Sequence, residues 1–599
     1  MSVPEREGVS RPVAVMICGL VYLSCLSIFL PYLPTAAGTV GHDYALHFPN
    51  LLAGFYWGLQ NGFGSIPWFS PAQCGGFPYF PDPNVAYVSM PQLLVFAVSP
   101  MRAVQLTFAL FALIGLLGAY ALMRHGFRSS RAAAVLAAGL FVFNGFFAYR
   151  LLIGHLTFHA FTLMPLMVVA LLPIPLGRDT WAAVSVRVCV AGACLAYMFQ
   201  SGMIHGIPPV LLATTVVLLI HGLCFGWRWQ PWLLLGAAGV LSLMLCAGKL
   251  VAELSLLSNF PRDQYPLPGI PGLPTLLRMV AQALFLSPPA DALDRIVNTQ
   301  WLLERSEWEY GVSVVPGLLI VASVLIALVR RREQAPLAGV QIVALSVILV
   351  LLAIPIAVNW YQSAWNGILK SLPYIGSSSS LLRFFSAYIL VVIVVGCLAF
   401  DRLPLPRVSR PSIQLALVAV GLGVVVLQNA LTDRTYYADQ RYRVAPVEAE
   451  YARARATRTI RPIDAIVDRG AQTVDVNNPM TDGGSQIACY QPILGYRLEK
   501  FPVAPLKLGP VDTPLGGVIN LKNPACYLFG AENRCRPGDH FTIAQSAQAM
   551  ALRTYRPIAF EQPFRQKLAT SVSLLSLIGL VLLLAVSSLY LVRRAGPSK

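Results

Sequence analysis

The sequence predicts a polytopic α-helical membrane protein with about twelve transmembrane helices, juxtamembrane helices and a C-terminal extracytoplasmic α/β or mainly β domain. Three observations predict it. Of 599 residues, 56% are hydrophobic and only 12% charged, against roughly a quarter charged in an ordinary soluble domain, so most of the chain belongs in lipid. Apolar runs of about 20 residues, the length that crosses the hydrocarbon core, recur twelve times. The 45 prolines and 46 glycines interrupt the chain too often for helices alone, so substantial irregular segments lie outside the bilayer or line a cavity.

The expected spans are 12–30, 103–123, 132–148, 157–175, 184–203, 207–226, 231–252, 313–330, 338–357, 384–400, 412–430 and 568–592. The first follows a short tail carrying Arg6 and Arg11, and no small-residue cleavage site follows it, so it reads as a retained helix. The formal charge of +17 is first a topological signal; nucleic acid is not an expected partner. With the N-terminus cytoplasmic, the inside loops carry Arg124, Arg128 and Arg131, then Arg178 and Arg187, Arg228, Arg330 to Arg332, Arg402, Arg407 and Arg410, and finally Arg593, Arg594 and Lys599. Every inside loop is then basic, as the positive-inside rule requires. Both termini are cytoplasmic on this reading, and residues 31–102, 253–312 and 431–567 face outside.

The expected division is a transmembrane domain over 1–430, a soluble extracytoplasmic domain over 431–567, and a final helix with a basic tail over 568–599. The alternation Gln472-Thr473-Val474-Asp475-Val476 marks a strand in the soluble part. Cys18, Cys25, Cys189, Cys194, Cys224, Cys246 and Cys397 fall in spans, where a thiol acts as a small hydrophobe. Cys74, Cys489, Cys526 and Cys535 face outside, and Cys526 with Cys535 closes a short loop suited to a disulfide.

The chemistry concentrates in a few outside runs. The first is Gly41-His42-Asp43-Tyr44 with His47, followed by Pro67-Trp68 and Gly75-Gly76-Phe77-Pro78. An acid just after the first span sits at the membrane surface, where partial desolvation and neighbouring histidines tune it toward general-base or ligand duty. Asp43 is the leading catalytic candidate; the alternative is that it caps a helix beginning near Tyr44. Leu51, Leu52, Phe55, Tyr56, Trp57 and Leu59 recur as in an amphipathic helix lying in the headgroup layer.

Arg150, His155 and His159 collect at the outer end of the third and fourth spans. Two histidines at i and i+4 on one helical face can hold a metal or hydrogen-bond a phosphate, and a metal would take Asp43 as its third ligand. Lys249 and Glu253, one turn apart, are placed to pair. Arg262, the run Glu304-Arg305-Ser306-Glu307-Trp308-Glu309-Tyr310-Gly311, and Arg383 add further groups, and arginine forks and lysines are what phosphate recognition needs.

These runs, taken in order, resemble the GT-C superfamily of integral-membrane glycosyltransferases: an acid after span one (Gly41-His42-Asp43-Tyr44), the Pro67-Trp68 and Gly75-Gly76-Phe77-Pro78 turns, the Arg150 to Gly154-His155 segment, Trp308-Glu309-Tyr310-Gly311 before a later span, and a C-terminal extracytoplasmic domain. The resemblance implies inverting transfer of a sugar from a polyprenyl-phosphate-linked donor to a lipid, glycan or protein acceptor, on the periplasmic face of a bacterial inner membrane. It casts Asp43 as base or metal ligand, with His42, Tyr44, Arg150, His155, His159, Lys249, Arg262, Glu309 and Arg383 around the substrates, and admits a divalent metal ion as cofactor. Many members pair two acids where Asp43 stands alone. The competing class is a transporter or lipid flippase with an accessory domain, since twelve spans is also a common transporter number. Transporters tend to show related halves and ionisable groups near the midplane, whereas here the halves are dissimilar and the polar groups gather on one face.

Overall fold

A computed structural model describes the chain apart from residues 1–8, 36–38, 174–179, 260–266, 287–293, 298–304, 330–338, 374, 377, 379, 407–409, 439–440, 470–476, 488–505 and 595–599. The expected strand at 472–476 and the candidate Arg262 lie outside the described residues. The helices are α1 (Arg11–Phe29), α2 (Tyr44–Asn61), α3 (Met90–Val95), α4 (Pro100–Ala121), α5 (Arg131–Val142), α6 (Gly145–Ile153), α7 (Met164–Leu171), α8 (Trp181–Gln200), α9 (Ile207–Phe225), α10 (Gln230–Ser258), α11 (Leu273–Phe285), α12 (Val314–Val329), α13 (Gly339–Asn359), α14 (Ser363–Ser371), α15 (Ala387–Asp401) and α16 (Arg410–Leu431), followed by α17 (Thr435–Ala438), α18 (Ala445–Thr457), α19 (Cys526–Phe529), α20 (Ser546–Arg553) and α21 (Phe564–Arg594). Short strands are β1 (Thr39–Val40), β2 (Phe69–Ser70), β3 (Phe77–Pro78), β4 (Tyr442–Arg443), β5 (Ala465–Val467), β6 (Gly484–Gln486), β7 (Gly509–Pro510), β8 (Pro514–Leu515), β9 (Val518–Lys522) and β10 (His540–Thr542).

Among the described residues, ten helical segments are long and apolar enough to cross a membrane. Among the described residues, the expected spans at 157–175 and 313–330 are seen as shorter apolar helices, Leu156–Leu171 and Val314–Val329. The first of these begins with a 3₁₀ stretch, Leu156–Leu163, which ends only where Met164 starts α7.

The centre of the bundle is α5, every residue of which is buried. Its alanine-rich sequence keeps the surface slim, so α1, α4, α15 and α16 all close on it. A side chain at Gly139 would collide with Leu422 of α16 at 2.3 Å. The helix is started by Ser130, whose hydroxyl accepts the Ala133 N–H at 3.1 Å, satisfying one of the orphan donors of a first turn. Ser130 in turn donates to Asp401 at the end of α15, 2.5 Å away.

At the other end of α1 the first loop and the C-terminal segment share one core. Val40, Phe48, Leu52, Tyr56, Phe69 and Phe77 from the loop pack in the same buried cluster as Tyr442, Tyr451, Ile466, Leu521, Phe541 and Tyr555. Strands stitch the two: β1 pairs antiparallel with β4, and the Lys522 N–H of β9 donates to Gly75 O at 2.7 Å. The C-terminal part holds the three-stranded sheets β6-β5-β7 and β10-β9-β8, and Cys526 and Cys535 form a disulfide, with Cα atoms 5.5 Å apart.

The helix expected in the headgroup layer is α2, and it is enclosed by protein. Every residue from Tyr44 to Trp57 is buried, because apolar side chains at 51, 52, 55, 56 and 57 cover more than one stripe and are enclosed from several sides, including by α18 and α3.

Candidate active site

Two backbone segments dock to make the site, and two glycines permit it. The Asp43 N–H donates to Ile153 O at 3.2 Å, and the Tyr44 hydroxyl donates to Leu151 O at 2.5 Å. Gly154 ends α6 with φ +108°, and a Cβ there would lie 2.4 Å from Tyr44 N and 2.8 Å from the Asp43 carbonyl carbon. A Cβ at Gly41 would meet the Ile153 backbone at 2.2 Å. Only glycine allows this approach and this left-handed backbone, so Gly41-His42-Asp43-Tyr44 and Gly154-His155 are complementary halves. A third run joins them: Asn144 caps α6, its side chain accepting from Phe147 N at 2.9 Å, and Gly145 N donates to Tyr310 O at 2.9 Å.

Asp43 precedes α2, yet its carboxylate makes no cap hydrogen bond. It turns to histidine instead. One oxygen meets His155 Nε2 and the other lies 3.3 Å from His42 Nε2. Behind His155, its Nδ1 receives a hydrogen bond from Arg150 Nη1 at 3.0 Å. A guanidinium only donates, so Nδ1 carries the lone pair and the ring hydrogen sits on Nε2, directed at Asp43. Burial pushes the His155 pKa down; Asp43 opposes this and Arg150 and Arg383 reinforce it, the net shift being downward, which keeps the ring neutral.

The chain continues into a bidentate pair. Arg150 donates to both oxygens of Glu307, at 2.6 and 2.8 Å, and is wholly buried, while Glu307 is 5% exposed. Arg383 approaches the same carboxylate from the other side, Nη2 to Oε1 at 2.8 Å. Both guanidiniums lie over the Phe158 ring, with centroid distances of 5.1 and 5.3 Å. Burial alone would raise the Glu307 carboxyl, but the two arginines hold it well below the usual carboxylate range. Two carboxylates therefore balance two guanidiniums around a neutral imidazole. The parts that reach solvent are Asp43, 15% exposed, His155 and Arg383, each 17%, and His42.

The structure brings together His42, Asp43, Arg150, His155 and Arg383. Arg150 stands behind His155 with no exposed surface, so its contacts are internal, with Glu307 and His155. Tyr44 is fully buried and serves the docking of α2. His159 diverges: its Nδ1 donates to Leu156 O at 2.6 Å and its Nε2 accepts from the Tyr197 hydroxyl at 2.7 Å. Four residues of α-helix would set His155 and His159 about 40° apart, but four residues of 3₁₀-helix set them about 120° apart. Glu309 lies just beyond the 3₁₀ turn Arg305–Glu307, paired with Arg305 at 2.7 Å and with the Tyr437 hydroxyl. Lys249 and Glu253 do pair, at 3.6 Å, but both are 2% exposed, and Lys249 Nζ donates to Val85 O and Gln200 O at 3.0 and 3.2 Å.

Sequence reasoning missed Glu307 as the keystone of the network and Asp82 as the neighbour of Lys249. Glu307 stood in the quoted run two residues before Glu309, and the 3₁₀ turn Arg305–Glu307 sends the two carboxylates different ways, one to Arg150 and the other to Arg305. Asp82 is fully buried, and burial pushes its pKa up to about 7 against the lowering pull of the Asn84 N–H and Lys249. His47 is also buried beside the site, its pKa pushed down by burial to about 4.

A divalent ion at Asp43, His155 and His159 does not fit these residues. Both ring nitrogens of His159 and both of His155 have partners, the Arg150 guanidinium lies 3.0 Å from one, and no group of three His, Cys, Asp or Glu among the described residues could hold a metal.

The fold and site define a polytopic helical membrane protein with a partly open carboxylate backed by a buried charge chain. No family model matches the sequence, and no curated protein sequence is similar to it. Among solved structures, it is similar to the arabinofuranosyltransferase AftD from Mycobacteria at 14% identity and TM-score 0.41, over 71% of this chain and 27% of that one. It is also similar to the Archaeoglobus fulgidus oligosaccharyltransferase, at 14% identity and TM-score 0.41, over 80% of this chain and 65% of that one. The complex of AglB from the same organism with an inhibitory peptide and a dolichol-phosphate is similar at 14% identity and TM-score 0.35, over 71% and 57%. The chain thus spans less than two thirds of each.

Proposed function

We propose that this protein is a GT-C-type membrane glycosyltransferase that moves a sugar from a polyprenyl-phosphate-linked donor to a lipid, glycan or protein acceptor on the outer, periplasmic face of a bacterial inner membrane. The observation that carries the reading is the Asp43 carboxylate, partly exposed and held by His155 and His42. An acceptor hydroxyl within reach of Asp43 gives up its proton to the carboxylate as its oxygen attacks the anomeric carbon. The bond from that carbon to the lipid phosphate oxygen breaks, and the phosphate leaves with the electron pair. His155 donates to Asp43 throughout and fixes its orientation, while neutral imidazole leaves the carboxylate basic. Arg383, the guanidinium of the network that reaches solvent, supplies positive charge for the developing phosphate anion. Arg150 and Glu307 position His155 and Arg383.

The outer-face assignment is supported by α1 itself, which begins at Arg11 and ends at Phe29, on the Asp43 side, with the basic loops at the Arg11 end. Membranes containing the Asp43→Asn protein and a polyprenyl-phosphate-sugar donor test the reading. Asn preserves an acceptor for the His155 N–H and removes the base, so transfer should fall by about 10² to 10⁴-fold with the unfolding midpoint unchanged. Undiminished transfer removes Asp43 from the reaction, and no transfer by the intact protein removes the glycosyltransferase reading.

A further inference from the structure

At the end of α1 remote from Asp43, the structure holds an open-sided cavity of about 920 Å³ between α1 and α4, within the size range of ligand-binding sites. Its walls are apolar, with Val15 and Gly19 on α1 facing Leu113 and Leu117 on α4, and its rim carries Arg11, Arg124, Arg128 and Arg131. Among the described residues, no aspartate or glutamate lines it. The width comes from Gly19, where an added Cβ would meet nothing within 4 Å. Both helices are long and apolar enough to span a bilayer, so the cavity opens along the hydrocarbon layer and its basic rim stands at one surface of it.

We infer that this cavity holds an anionic phospholipid of the leaflet on the basic side, its acyl chains between α1 and α4 and its phosphate at the arginine rim. Walls that are mainly apolar, with Tyr22 and Tyr120 among them and His125 near the arginines, match hydrocarbon. Guanidinium groups match a phosphate by bidentate, charge-assisted hydrogen bonds. Arg124 and Arg131 also hold backbone carbonyls, Ser129 O at 3.1 Å and Val9 O at 3.2 Å, which fixes their heads at the rim. Arg11 and Arg128 are exposed, and Arg128 rests 5.5 Å over the Phe225 ring. The net negative headgroup follows from the charge of the rim, since each basic residue near the surface attracts anionic lipid. This site is independent of the reaction assigned to Asp43.

The test uses the full chain in nanodiscs of phosphatidylcholine and phosphatidylglycerol in equal amounts, re-extracted into detergent, with retained lipid identified by native mass spectrometry. The intact protein should retain phosphatidylglycerol over phosphatidylcholine by about tenfold. Gly19→Leu, whose Cβ meets no neighbour within 4 Å and whose side chain narrows the cavity between α1 and α4, should lose the retained lipid. Arg11→Gln with Arg128→Gln, which leaves the apolar walls intact, should lose the preference for phosphatidylglycerol. Equal retention of both lipids by the intact protein overturns the inference, as does retention unchanged by Gly19→Leu or a preference unchanged by the rim variant.

Discussion

Two clusters of buried charge draw on the first loop, and they are balanced in different ways. Around Glu307, two guanidiniums share one carboxylate and the chain runs through His155 to the partly open Asp43. Around Lys249, one ammonium faces Glu253 and the fully buried Asp82, and the side-chain oxygens of Glu253 and one of Asp82 have no hydrogen-bond partner among the described residues. An arginine cannot shed its proton in a protein, so the first cluster is charged at every pH and depends on its geometry. A buried carboxyl can take up a proton, so the second relaxes by titration. One cluster is a rigid scaffold leading to an open group; the other is a sealed prop that binds α10 to the loop.

Glu307→Gln should have the largest effect. It strands Arg150, which has no exposed surface, and removing one partner of a buried pair costs about 3 to 5 kcal/mol. Thermal unfolding in detergent should show the loss, accompanied by loss of sugar transfer; a variant as stable as the parent would mean the pair is dispensable. Lys249→Met removes the cation of the second cluster and should cost about 1 to 3 kcal/mol, because its acids can protonate. A loss equal to that of Glu307→Gln would erase the distinction between the clusters.

The smallest effect is a pH dependence. The folded pKa of Asp82, about 7, lies above the ordinary carboxyl value near 4. Between those values the folded state binds the extra proton, so Asp82's contribution is complete at low pH and is lost as pH rises toward 7, with no further change above it. Unfolding midpoints from pH 5 to 8 should therefore decline more in the parent than in Asp82→Asn; parallel curves would show that Asp82 does not titrate there.

How much of this was legible in the sequence varies by residue. The apolar runs were read as helices because hydrophobic length is a local property. Asp43, Arg150, His155 and Arg383 were read as site residues because charge in an apolar chain is costly and so conspicuous. The disulfide between Cys526 and Cys535 was legible because the loop between them is short. His159 was misplaced because the i, i+4 rule assumes α-helical pitch and the local helix is 3₁₀. The burial of α2 was missed because its cover comes from residues near 450 and 555, some four to five hundred positions away.

The sequence by itself determined that the chain is a membrane-embedded helical protein whose scarce polar groups cluster in a few runs, since burial of apolar length and the cost of desolvated charge act residue by residue. Only the tertiary structure decided which groups meet. Gly41 and Gly154 let two distant turns touch, Glu307 rather than Glu309 joined the arginines, and the C-terminal segment closed over the first loop. The reason is geometric: a contact between remote segments depends on where both backbones run, and no local pattern records that.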